Sequence, residues 1–170
     1  NSLAFSLFEG KELKMFGKIN FEGINTYAKV IDASRKTLEF IKNYDIDAIV
    51  IEHTVFMNSP KVAADLALVQ GSLLGAAGQA GIRVIRSVAP ITWQNYIGNK
   101  KLTKDEKFVI KKQNPGKSDS WLKTYERNLR KLRTIKFVDF NYDRQVEDND
   151  IADAIAIGHY AVNNWERLTK

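Results

Sequence analysis

Cysteine is absent from the chain. That excludes disulfides, cysteine-based zinc sites and thiol catalysis, and it is compatible with a reducing cytoplasm. No apolar run is long enough to span a bilayer. No secretory signal is visible, because the start, NSLAFSLFEG, has neither a basic leader nor a cleavage site. It also lacks an initiator Met, as a trimmed or incomplete chain would. There is no GxSxG, P-loop or Rossmann fingerprint, so hydride transfer and nucleoside-triphosphate hydrolysis have no support. No internal repeat or low-complexity linker divides the 170 residues, a length that suits one domain with its own core.

What the chain does have is unevenly placed charge. The net is +6. From Asn99 to Lys136, 13 Lys and Arg stand against 4 Asp and Glu, a local net of +9 that leaves −3 for the rest. A basic segment beside an acidic remainder is the pattern of a polyanion binder. A solvated helical face is the commoner explanation of a charge run. Trp93, Trp121 and Tyr125 lie within or beside the run, and rings that can stack on exposed bases favour nucleic acid. The candidate phosphate contacts are Lys100, Lys101, Lys107, Lys111 and Lys112, followed by Arg127, Arg130 and Arg133.

The coarse element order is β-β-α-β-α-β, then helices. Leu3–Phe8 alternates as a strand, Glu9-Gly10 turns, and Glu12–Phe21 returns as an antiparallel partner. Gly23–Asn43 has helical apolar spacing. Asp47–Ile51 (DAIVI) is a short continuous apolar run, the signature of a strand buried on both faces, and it ends in Glu52. His53–Pro60 is a loop, and His53 either faces the same site as Glu52 or is an ordinary loop histidine. Lys61–Ala80 is a helix rich in Ala and Gly, which suits either close intramolecular packing or a dimer interface. Ile82–Ser87 is the next strand, and Pro90–Ile97 a short helix closed by the Gly98-Asn99 turn. Thr103 and Glu106 form a capping box for a helix over Lys104–Lys112. Asn114-Pro115-Gly116 breaks it, and Ser118–Phe140 is a long basic amphipathic helix.

The most informative stretch is Glu147–Tyr160, EDNDIADAIAIGHY. Asp150 and Asp153 share one face at the start of a helix made mostly of small apolar residues. Such a helix packs closely on something flat, most simply a sheet. Asp148 or Asn149 can cap it, and capping alone is one account of the acids. The other is a metal site completed by Glu52, since an acid at the carboxyl end of a central strand is well placed for one in an α/β sheet. Three carboxylates without sulfur suit Mg²⁺ or Mn²⁺. Beside a basic surface, such ions support phosphodiester hydrolysis. His159 lies six residues past Asp153, about 9 Å along the helix axis, too far to ligate the same ion.

The strand ending Val50-Ile51-Glu52, the stretch PITWQNYIGNKKLTK (Pro90 to Lys104) and the terminal DNDIADAIAIGHY resemble the RuvC family of Holliday junction resolvases, most closely its phage-encoded branch. The resemblance spans nearly the whole chain. It implies a ribonuclease-H-like mixed sheet flanked by helices, a single nuclease domain over 1–170 with a basic helical region at 99–140. It also implies a homodimer, Mg²⁺-dependent cutting of four-way and other branched DNA by paired nicks, and the host-cell cytoplasm rather than a membrane. Glu52 matches the family's strand-four glutamate, and Asp150 and Asp153 its terminal acids. Lys104 matches a basic residue near the scissile phosphate. The bland reading of Lys104 is a surface helix residue.

Two departures stand out. The family's first strand and its aspartate are missing from this numbered sequence, which opens inside the following loop. Either they exist in the native protein or the chain is a defective form. Trp93 stands where cellular members often carry a basic residue. Two other readings remain open on the residues: a different ribonuclease-H-like nuclease, acting on RNA–DNA hybrids or as a transposase, and a branched-DNA-binding protein that does not cut.

Overall fold

A computed structural model of the chain describes residues 1–53 and 59–170. Part of the expected loop His53–Pro60, residues 54–58, lies outside them. Strand β1 (Ser2–Glu9) pairs antiparallel with β2 (Glu12–Asn20), with a bulge between Leu7 and Phe8. Helix α1 (Thr26–Asn43) follows, capped by Asn25, whose side chain accepts from the Ala28 N–H at 2.9 Å. Strand β3 (Ala48–Glu52) pairs parallel with β4 (Val84–Val88), and α2 (Pro60–Gln79) makes the crossover. Then come α3 (Pro90–Tyr96), α4 (Lys104–Gln113), α5 (Asp119–Tyr142), α6 (Asn149–Asn163) and a short α7 (Trp165–Thr169).

The expected order is therefore present, with ends displaced by a residue or so in most elements and α7 as an added break near the C-terminus. Among the described residues the mixed sheet takes the form of two halves, one antiparallel and one parallel, with no ladder between them. Helix α6 joins the halves: it packs on β1, β2 and β3, and also on α3, α5 and α7. Its sequence explains this reach. Ala152, Ile155 and Ala156 are fully buried, and the short side chains let the helix axis approach the strands. Burying one side chain the size of Ile155 contributes about 1.5–3 kcal/mol.

Three buried clusters hold the layers. Val138, Val146, Ala152 and Ile155 join α5 and α6 to Phe8, Leu13 and Phe16 of the hairpin. Val88, Trp93, Ala156 and Tyr160 join α3 and α6 to the parallel pair. Ile41, Ala77 and Ile82 join α1 and α2 beneath β3 and β4. Neighbouring residues of α6, Ile155 and Ala156, thus belong to different clusters. Among the described residues, no helix is long and apolar enough to cross a membrane.

The seam between α6 and β1 is tightly packed. Ser6 Oγ donates to the Ala154 carbonyl at 2.8 Å. A Cβ at Gly158 would stand 2.7 Å from that same hydroxyl and closer still to the Phe8 ring. Glycine is required there by space, not by backbone angle. Gly158→Ala is expected to force β1 and α6 apart and to destabilise the fold by about 1–3 kcal/mol. Thermal unfolding followed by circular dichroism checks this; the midpoint should fall by roughly 2–10 °C.

Candidate active site

The expected acids are brought to one region by the parallel pair and α6. Glu52 ends β3 opposite Val88, and the His53 N–H extends the ladder by donating to the Val88 carbonyl at 2.8 Å. Pro90 opens α3 directly after β4, which turns Trp93 inward until it is fully buried. From there the indole N–H donates to Glu52 Oε1 at 2.8 Å. The Gln70 amide, on α2, donates to the Glu52 backbone carbonyl at 3.3 Å. Burial pushes the Glu52 carboxyl above its ordinary pKa, and the Trp93 N–H opposes part of that shift.

The acids at the start of α6 separate into different jobs. Asp148 is the cap: its Oδ1 accepts from the N–H groups of Asp150 (2.9 Å) and Ile151 (3.2 Å). Its Oδ2 meets Lys18 Nζ, from β2, at 2.6 Å. That ammonium, with the two capped N–H groups, holds the Asp148 carboxyl below its ordinary pKa. Asp150 is exposed, and its Oδ2 lies 3.1 Å from the same Lys18 ammonium. Asp153, one turn further in, is half-buried and ion-paired to nothing among the described residues. Its pKa is pushed up to about 6, first by burial and then by the negative charge of Glu52.

Helix α5 supplies the support that the sequence did not announce. Thr134 is buried, and its hydroxyl, which donates to the Arg130 carbonyl at 3.3 Å, also lies near enough to the Asp153 carboxyl to offset part of the upward shift; Lys131, one turn earlier, acts in the same sense by its charge. Thr134 is itself held from below. The Gly98 backbone, at φ +76°, turns left-handed and tucks Asn99 under α5. Asn99 Nδ2 then donates to Thr134 Oγ1 at 3.0 Å and to the Arg130 carbonyl at 2.8 Å. Thr134 and Lys131 are three residues apart and share a face, but nothing local says that this face meets Asp153.

Two carboxylates with raised pKa values, coupled by charge, form a pair of hard oxygen donors short of positive charge. This donor set fits a divalent ion such as Mg²⁺ or Mn²⁺. Among the described residues, no group of three or more acids and histidines converges as a metal cage. Asp150 is the expected third member, and Lys18 holds it instead. His159 is remote, as its spacing implied: its Nδ1 shares a 2.7 Å hydrogen bond with the Tyr142 hydroxyl, and Phe137 and Tyr96 surround the ring. Burial lowers the His159 pKa and raises that of Tyr142 to about 12.

Lys104 is the first residue of α4, exposed behind the Thr103–Glu106 capping box, and its ammonium has no ion pair among the described residues. The other candidate cations divide. Lys107 pairs with Glu126 at 2.9 Å, and Lys111 pairs with Asp119, both tying α4 to α5. Arg130 donates to the Gln94 side chain, and Arg133 donates to the Lys100 carbonyl at 3.1 Å. Lys100, Lys101, Lys112 and Arg127 are exposed, and their side chains are unpaired among the described residues.

This architecture is similar to solved RuvC structures. A Thermus thermophilus RuvC in complex with a Holliday junction substrate matches with a TM-score of 0.64 at 14% identity, covering 98% of this chain and 88% of that one. A second Thermus thermophilus RuvC structure matches with a TM-score of 0.60, again at 14% identity, covering 98% and 89%. The chain has the RuvC fold. No family model and no curated protein matches it. In this RuvC-like fold, Glu52 at a strand end lies close enough to Asp153 on a helix for its charge to raise the Asp153 pKa.

The raised Asp153 pKa has a consequence for metal-free protein. A carboxyl held near 6 in the fold, against an ordinary 3.8, favours folding only while protonated. Its contribution is complete below about pH 4 and is lost as pH rises through 6. Asp153→Asn should therefore stabilise the chain above pH 6.5 in EDTA, by about 1–3 kcal/mol, and leave it little changed near pH 4. Urea unfolding of both proteins at the two pH values tests this. Equal differences at the two pH values would remove the electrostatic account.

Proposed function

We propose that this chain is a structure-selective endodeoxyribonuclease that cuts four-way and other branched DNA by metal-dependent phosphodiester hydrolysis. The observation that carries the reading is the Glu52–Asp153 pair, with both carboxyl pKa values raised, at the carboxyl end of β3 in a RuvC-like fold. The basic 99–136 segment, part of which lies on the helix that supports Asp153, adds to it. Assignment to the phage-encoded branch rests on the sequence resemblance alone.

On this reading Glu52 and Asp153 would hold Mg²⁺ or Mn²⁺ through their carboxylate oxygens, with Asp150, now 3.1 Å from Lys18, as a further candidate ligand. The aspartate of the family's first strand is a further ligand that the resemblance implies. When bound, such ions supply activation of water and stabilisation of the leaving oxygen. The chain's own groups set the geometry: Trp93 fixes the rotation of Glu52, Thr134 fixes Asp153, and the Asn99 turn fixes Thr134. Lys104 places a point charge on the phosphate or on the charge that develops during cleavage. The exposed cations of 99–136 bind phosphates with little base readout.

A four-way junction with each strand end-labelled, incubated with Mg²⁺ or EDTA beside a linear duplex of the same sequence, tests the reading. Paired symmetric nicks in the junction only, lost in EDTA, are expected. Glu52→Gln and Asp153→Asn should lower cleavage by about 10²-fold or more while junction binding persists. Cleavage by either variant at the wild-type rate would dismantle the assigned site. Tight junction binding without cutting would favour a non-cleaving branched-DNA-binding protein, and cleavage of RNA–DNA hybrids alone would favour a different ribonuclease-H-like nuclease.

A homodimer is part of the proposal, because two sites related by a two-fold axis suit a two-fold-symmetric substrate. Helix α2 supports it. Ala64, Ala67, Leu68, Gly71, Leu74 and Gly75 share an exposed, uncharged face, with Leu68 at 43% and Leu74 at 38% exposure. Leu68→Glu is expected to shift the protein from dimer to monomer in sedimentation velocity. An unchanged sedimentation coefficient in a dimeric wild type would exclude this face.

A further inference from the structure

The basic hairpin of α4 and α5 carries an aromatic pair that the core does not use. Trp121 and Tyr125 lie one turn apart on α5, with ring centroids 5.2 Å apart and planes 28° from parallel. Neither belongs to a buried cluster or packs against one. Tyr125 is 39% exposed. The indole N–H and the phenol O–H make no hydrogen bond among the described residues. Lys117 Nζ lies 5.9 Å from the centroid of the Trp121 ring system.

Large aromatic side chains ordinarily contribute to cores and interfaces. A stacked pair outside the core, within a segment of net charge +9, is complementary to a ligand both anionic and flat. An acidic peptide would satisfy the charge but not the rings. A perfect duplex would also satisfy the charge, but its base faces are hidden in its own stack. A strand with unpaired bases satisfies both.

The distance along α5 points the same way. Lys131, whose charge reaches Asp153, is six residues past Tyr125 and ten past Trp121. That is about 9–15 Å along the axis. At ~3.4 Å per nucleotide along a strand, that stretch of α5 between the rings and Lys131 spans roughly three to four nucleotides.

We propose that Trp121 and Tyr125 form a stacking site for unpaired DNA bases, exposed at a branch point or on the single-stranded arm of a fork, a few nucleotides from the site of cleavage. The placement relative to cleavage rests on the nuclease reading, whereas the stacking is measurable without it.

The test is fluorescence anisotropy in EDTA with a labelled single strand, a Y-fork and a linear duplex, using wild type, Trp121→Ala, Trp121→Phe and Tyr125→Ala. Trp121→Ala should weaken single-strand and fork binding by about tenfold or more, and Tyr125→Ala should act in the same direction. Trp121→Phe should retain most of the affinity, and duplex binding should be nearly unchanged throughout. A 2-aminopurine in the unpaired strand should be quenched by wild type and less so by either alanine variant. Unchanged single-strand affinity in both alanine variants, or an equal loss on duplex, overturns the stacking site. Circular dichroism establishes that each variant is folded; if Trp121→Ala is not, Tyr125→Ala, at an exposed ring, decides with the 2-aminopurine signal. If stacking fails while wild type still cuts junctions, only this inference falls. If stacking holds while wild type cuts no junction, the nuclease reading falls and the stacking site stands.

Discussion

The close approach of α6 to the strands is the constraint on which the rest of the structure depends. Gly158, one turn past Ala154, leaves room for Ser6 and Phe8, so β1 brings Ser6 to within 2.8 Å of the Ala154 carbonyl, while Ala152 and Ala156 let other sides of the helix approach their neighbours. The two half-sheets share no ladder among the described residues, so α6 is what relates them. Asp153 lies between buried Ala152 and Ala156, and its position is therefore fixed by the same packing. A bulkier helix would sit further out and carry Asp153 away from Glu52. Dense interiors transmit such shifts because they hold few voids to absorb them.

Bringing two carboxylates together works against folding, and the neighbours show how the cost is contained. Asp148 is compensated fully, by two capped N–H groups and Lys18. Asp153 receives one hydroxyl and the more distant charge of Lys131, and its pKa stays high. Glu52 receives one indole N–H against the effect of burial. The N-terminal turns of α6 thus hold a satisfied acid and an unsatisfied one a turn and a half apart. Helix capping accounts for the first. It does not account for the second, which lies beyond the reach of the free N–H groups. The unfavourable charge of Asp153 is tolerated because the packing of α6 fixes its position.

Much of this was legible in the sequence, for reasons that can be named. The Thr103–Glu106 capping box and the small-residue pattern of α6 are signals contained within a few residues and appear as read. DAIVI forms a strand ending in Glu52, but one that among the described residues is half-buried and paired on one side only, not buried on both faces. The site's supporting groups were not legible. Asn99 and Thr134 are 35 residues apart, and Trp93 and Glu52 are 41 apart. Their contacts exist only after α3, α5 and α6 have packed. Trp93 was read as a ring beside a charge run, yet it is a buried hydrogen-bond donor. Lys18 lies on a hairpin whose alternation gave no hint that it would bridge Asp148 and Asp150.

The basic segment divides into cations that have partners within the chain and cations that, among the described residues, do not. Eight cations were candidates for phosphate contact, but Lys107, Lys111, Arg130 and Arg133 are engaged inside the protein. Those contacts link α4 to α5, and α5 to Gln94 and Lys100. Each would have to be exchanged for a phosphate before it could release a counterion, and the exchange gains little when the partner left behind is a carboxylate. The other four, Lys100, Lys101, Lys112 and Arg127, are available without such a cost. Because salt sensitivity scales with the number of phosphates neutralised, the set of available cations governs electrostatic affinity more than the net charge does. The internal pairs do a different job. They tie the N-terminal part of α5 to α4 and to the turn before it, while Thr134, nearer its other end, supports Asp153.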